Sequence, residues 1–373
     1  MSYPSIDTLQ KVLSEQVFSH TKDAKKAAGR ALGTMIEIIS YYLLKEWGMN
    51  DSISIERGLS EYGNPSITHN VEFTLHPLLK SEELLFTNNL PLTSSKILKR
   101  LDVKEGYVIK SNCLLDKSFT LKNACTIAES STTLILATIT DISDINISVK
   151  VYFQHQKPYA MFECKRVGVE EGNKKGPQTI EKAKQGAYVA QNTSSLQKIR
   201  NEKGEKYGII YDNGKPIIQP YTDLLHSIIN NNHKGLLKDF TLSVGIVSNH
   251  GNWFTSEDQN KELKVLAQSY DWLLFLSDFG LAQFITDLLL TPVSQYEPIR
   301  QAFLDSYLEG KKSNIFTKVK MNIKAHIALC HYFNTHINDI EKWFNIITPQ
   351  NASIADLKKE LYTLKNKKWE EIV

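Results

Sequence analysis

The chain has 373 residues, of which 42% are hydrophobic and 23% charged, with a formal net charge of +3. That is room for one elaborated domain or two, with the composition of an ordinary globular protein. So small a net charge excludes a global positive field, and any attraction for nucleic acid has to be local.

The four cysteines, Cys113, Cys125, Cys164 and Cys330, form no CxxC pair. Their spacing argues against a zinc ribbon or a disulfide framework and fits a reducing compartment. The first residues lack a basic stretch followed by an apolar run, so a cytoplasmic location is expected. The most apolar stretch, Val265 to Leu290, is interrupted by Asp271, Asp278 and Asp287. Acids at a bilayer centre are costly, so this stretch is expected to be a buried helix or helix pair.

In chain order, residues 23–47 carry Ala27, Ala28, Ala31, Leu32, Met35, Ile36, Ile39, Tyr42 and Leu43 at helical spacing, with Gly48 as a stop. Between Ile53 and Leu75 the period shortens. Val71, Phe73 and Leu75 face one side and Glu72 and Thr74 the other, beside a Gly63-Asn64-Pro65 loop. Residues 81–130 read as mixed. Ile145, Ile147, Val149, Val151 and Phe153 then alternate with polar residues up to a turn at His155-Gln156-Lys157-Pro158, and Tyr159 to Lys165 follows. This pattern predicts a β-hairpin. Pro177 is placed to open a helix to about Gln191. Tyr207–Tyr211 and Phe240–Val247 read as strands, and the chain from about Glu257 onward reads as almost wholly helical.

Chemistry concentrates at the end of that hairpin. Period-two alternation puts Tyr159, Met161, Glu163 and Lys165 on one face and Ala160, Phe162 and Cys164 on the other. If the hairpin forms, Asp144 at the start of its first strand comes back toward Glu163, with Asp141 as the alternative acid. Two carboxylates about 4 Å apart repel by roughly 4 kcal/mol at an effective dielectric near 20. A hard divalent cation, Mg²⁺, relieves this, and Lys165 can then meet charge at a phosphate or position water. The implied reaction is phosphodiester hydrolysis.

An acid followed by Glu-x-Lys at the end of the next strand resembles the PD-(D/E)xK nuclease superfamily, over roughly residues 23–250. Two departures stand out: Ser143 replaces the proline, and Gln185 to Tyr188 is one residue shorter than the QxxxY spacing of some subfamilies. The resemblance implies an α/β fold: a mixed central sheet flanked by helices, in a nuclease core over 1–250, with a mostly helical region over 251–373. It implies Glu37 as a further acid from the preceding helix, the Cys164 backbone carbonyl as a metal ligand with Asp144 and Glu163, and Gln185 on the following helix. For a protein of this size it further implies a type II-like restriction endonuclease acting on double-stranded DNA as a homodimer, with a methyltransferase as functional partner. A structure- or damage-directed nuclease and a non-catalytic DNA-binding module are the alternatives.

Residues 165–206 hold ten Lys/Arg against five Glu, a local excess suited to a phosphate backbone. Asn173, Lys174, Lys175, Gln178, Lys182 and Lys184, with Gln185, are the candidate DNA contacts. His326, His331 and His336 recur every five residues, which turns about 140° per step on a helix, so they share no face for a metal. There is no HExxH, no phosphate-binding glycine loop with its lysine, and no Gly-x-Ser-x-Gly.

Overall fold

The computed structural model describes residues 6–103, 105–168, 177–250, 261–307 and 314–372. The fold is α/β, as expected. A six-stranded sheet runs in the order Ile53–Arg57, Val71–Leu75, Ala160–Gly168, Leu242–His250, Trp272–Leu276, Phe344–Thr348. The second strand is antiparallel to both its neighbours; the third, fourth and fifth are parallel; the sixth is antiparallel to the fifth. The expected helix is Ala24–Glu46, started by the Asp23 side chain accepting from Lys26 N at 3.0 Å. Its buried residues cover one face of the sheet through Phe73, Ala160, Phe162 and Cys164. Helix Pro177–Thr193 covers the other, where Ala187 and Ala190 share a core with Met161 and Val247.

Residues between the second and third strands of this sheet build a separate layer. After Leu75 the chain turns at His76 and Pro77 into a five-stranded sheet, and it returns at Pro158. In that sheet Asn146–His155 pairs with Leu78–Thr87 on one side and Thr133–Ile142 on the other. Ile147, Val149 and Val151 fill its own core with Ile135 and Ala137. This corrects the expected hairpin. The alternating strand does not fold back on Tyr159–Lys165. Its hairpin partner precedes it, with Asp144 in the turn, where Ser143 N donates to Asn146 O at 2.8 Å. His155 to Pro158 is a crossing between sheets.

The apolar stretch from Val265 divides differently from the expected helix pair: helix Lys261–Ser269, strand Trp272–Leu276, then helix Asp278–Ile285. Trp-Leu-Leu-Phe-Leu lies between two neighbours and is buried throughout, a setting in which apolar runs lose their periodicity. The region after residue 250 is therefore not almost wholly helical, and it supplies two strands of the central sheet. Among the described residues, no helix is long and apolar enough to cross a membrane.

Candidate active site

Strands Val71–Leu75 and Ala160–Gly168 pair through Leu75–Ala160, Thr74–Met161 and Phe73–Phe162. One step further brings Glu72 against Glu163, and Glu72 N donates to Glu163 Oε2 at 3.3 Å. Glu163 is only 1% exposed. Lys165 Nζ lies 2.8 Å from Glu163 Oε1 and 3.5 Å from Glu72 Oε1, and His69 Nε2 is 3.2 Å from the same Glu163 oxygen. A second ammonium group, Lys318 Nζ, contacts Glu72, Glu37 at 2.8 Å and Glu56 at 3.3 Å. Lys318 is held by the inserted layer, since Asn123 Nδ2 donates to Lys318 O and Asn123 N to Val319 O, both at 2.9 Å.

Four carboxylates thus surround two ammonium groups. Burial raises Glu37, repulsion from Glu72 adds to it, and Lys318 offsets only part, leaving Glu37 at about 7. Burial would also raise Glu163, but the His69 hydrogen bond and the Lys165 charge outweigh it and hold Glu163 below its ordinary value. Burial would lower Lys165, yet Glu163 and Glu72 keep it raised. The site is an acid cluster with surplus negative charge and fixed ammonium groups within bonding distance.

Helix Pro177–Thr193 closes the cluster from above. A Cβ at Gly186 would lie 2.2 Å from Glu163 Cγ and 2.6 Å from the Tyr270 hydroxyl. Only glycine lets the helix pass this close to the carboxylate. Cys164, on the opposite face, is buried under Ser40, to whose hydroxyl its thiol donates at 3.3 Å.

The structure therefore brings together only part of the expected set. Glu163, Lys165 and Glu37 converge, Glu37 through Lys318. Asp144 does not: it is exposed, in a turn of the other sheet, at the far end of a ten-residue strand that leads toward Glu163. Asp141, exposed on the neighbouring strand, does not reach the site either. Glu72 stands where Asp144 was expected. Its signal was its place on the polar side of the Val71–Leu75 alternation; Lys318 and His69 gave none. Among the described residues, no three His, Cys, Asp or Glu side chains form a ready metal-ligand group.

The basic segment is partly committed inside the protein. Arg166 Nη1 donates to Gly29 O at 3.0 Å. Lys198 donates to the carbonyls of Ala267, at 3.3 Å, and Tyr270, and burial draws its ammonium down to about 8. Of the candidate DNA contacts, Gln185 is exposed on helix Pro177–Thr193. Asn173, Lys174 and Lys175 lie outside the described residues, as do the side chains of Gln178, Lys182 and Lys184.

Scans of this chain against protein-family models, curated proteins and solved structures return no match.

Proposed function

We propose that the protein is a Mg²⁺-dependent endonuclease of the restriction type, with a restriction endonuclease-like core, hydrolysing phosphodiester bonds in double-stranded DNA. The observation that carries this reading is the meeting of Glu72, Glu163 and Lys165 on paired strands, in a cluster with more carboxylate than ammonium charge. Two further features support it: a helix bearing Glu37 precedes the sheet, and a helix follows the Glu163 strand. The oxygen donor set suits a hard divalent ion, and Glu72, Glu163 and the Cys164 carbonyl are the groups that would hold it. Bound there, such an ion supplies charge neutralisation at the phosphate and a more acidic water.

The chain's own groups do the rest. Lys165, fixed by two carboxylates, orients the attacking water or meets charge developing on the phosphate. Water adds to phosphorus as the bond to the 3′ oxygen breaks, leaving 5′-phosphate and 3′-hydroxyl ends. Glu37 and Lys318 set the charge around Glu72. Two cuts on a duplex call for two sites, hence a homodimer, and a methyltransferase would protect host DNA.

A mixed-sequence plasmid incubated with Mg²⁺ tests this. Discrete bands are expected from wild type and from D144N, and none from E72Q or E163Q. Cleavage lost in D144N but kept in E72Q would overturn the site; a smear would replace sequence-specific cutting with structure- or damage-directed cutting. A non-catalytic DNA-binding module is the second reading, favoured by one observation: Lys165 and Lys318 already sit on the carboxylates a metal needs. It requires DNA binding without cleavage and a melting temperature unmoved by Mg²⁺.

A further inference from the structure

A cavity of about 440 Å³ lies between the inserted layer and the helices Ala24–Glu46 and Ile323–Glu341. Its walls include Ile53, Ala124, Leu136 and Ile323, and the Ile327 side of its rim is exposed. Lys45 is among the lining groups. Its ammonium is 3.3 Å from His326 Nε2 and 5.9 Å from the ring centres of both Tyr41 and Tyr42. His326 Nδ1 is 2.8 Å from the Tyr42 hydroxyl. With Nε2 accepting from Lys45, Nδ1 carries the proton and donates to Tyr42, so the imidazole is neutral. Burial and the Lys45 charge both push His326 well below its ordinary value, in keeping with that tautomer.

Lys45 thus carries a charge beside an apolar cavity, and among the described residues no carboxylate lies within 4 Å of its ammonium. Asp141 is the one carboxylate on the wall. It is exposed and five residues beyond Leu136, about 16 Å along the strand. The partners of this half-buried ammonium are two aromatic rings, a neutral imidazole and the Cys330 thiol, none of them an anion, so an incoming anion can still be bound there. The volume is that of a small-molecule site, an apolar chamber with a few convergent polar groups.

We infer that this cavity binds a small monocarboxylate with an apolar tail, its carboxylate on Lys45 and its tail against Ile53, Leu136 and Ile323. The inference stands apart from the nuclease reading, because none of these residues belongs to the acid cluster. Titration calorimetry on the full chain with octanoate, 3-phenylpropanoate and octylamine tests it. One or both carboxylates should bind with Kd below about 1 mM, at least tenfold more tightly than octylamine. Which of them binds tighter tells an aliphatic tail from an aromatic one. K45M should weaken that binding at least tenfold, K45R should retain most of it, and I327W, at the exposed rim, should block it. Circular dichroism melting verifies that each variant is folded. If K45M does not fold, the comparison of carboxylate with amine on wild type and the I327W result decide. Equal binding of octanoate and octylamine, no binding at all, or an unchanged affinity in folded K45M would overturn the inference.

Discussion

Two buried polar clusters sit on the central sheet, and they are built differently. Around Asp271, one oxygen accepts from Ser243 N at 2.7 Å and Ser243 Oγ at 2.8 Å, and the other accepts from the Tyr221 hydroxyl. Asp271 meets three neutral donors, and the second carboxylate that feels its charge, Glu360, accepts from the Trp272 indole at 2.7 Å. Around Glu163, carboxylates outnumber ammonium groups, and Glu37 is driven up to about 7 by burial and by Glu72. A polar group that serves folding is complete within the protein; one that keeps surplus like charge stores a demand for something outside it. Each cluster holds one acid raised by burial and a neighbouring carboxylate; what distinguishes the Glu163 cluster is that its carboxylates are held by the ammonium groups of Lys165 and Lys318, where Asp271 and Glu360 accept from neutral donors.

The sharpest way to break this comparison is substitution on both sides. E72Q or E163Q should lower cleavage about a thousandfold, since a bound metal is worth several kcal/mol at the transition state and each 1.36 kcal/mol is a decade. E72Q should change stability little, because it relieves the repulsion that raises Glu37, whereas E163Q should cost stability near neutral pH, because it removes a carboxylate that His69 and Lys165 hold ionised; plasmid-cleavage rates and urea midpoints check both halves. D271A should do the reverse. It leaves three buried donors without their acceptor and should cost about 3 kcal/mol in urea unfolding, while cleavage per folded molecule is kept.

G186A should fall between the two. A methyl forced to within 2.2 Å of Glu163 Cγ has to displace helix or carboxylate, an overpacking cost of about 1–3 kcal/mol. Cleavage and melting temperature should drop together; a variant with neither change would show that the helix does not press on the acid.

The smallest effect is on pH dependence. Glu360, whose Oε2 accepts from Trp272 Nε1 at 2.7 Å, is raised to about 7, by burial first and by Asp271. An acid with a raised folded pKa binds its proton more tightly in the native state. Stability it contributes is therefore present at low pH and is lost as pH rises from about 4.5 through about 7. E360Q should lessen that slope, with Glu37 supplying the part that remains, as read by urea midpoints between those limits. An unchanged slope would locate the titration elsewhere.

Much of the site could be read locally. Glu163 and Lys165 share a strand face by period-two alternation, and Ala160, Phe162 and Cys164 take the core side as that alternation requires. Helix Ala24–Glu46 with Glu37, and helix Pro177–Thr193, follow from spacing and from a proline at the first helical position. Asp144 was misplaced because alternation states which way side chains point and not which strand is the neighbour. Both Thr133–Ile142 and Tyr159–Lys165 border the alternating strand in sequence, and burial of Ile147, Val149 and Val151 in the inserted layer chose the first.

What the sequence determined by itself was periodicity: which residues are helical, which alternate, and which polar residues share a side. Tertiary structure alone decided which elements meet. Glu72 reaches Glu163 across 91 residues and Lys318 reaches Glu72 across 246, and the Trp272–Leu276 run became a strand only once it had a neighbour on each side. Hydrogen bonding between strands is indifferent to sequence separation, whereas local patterns carry no information beyond their own turn or pleat.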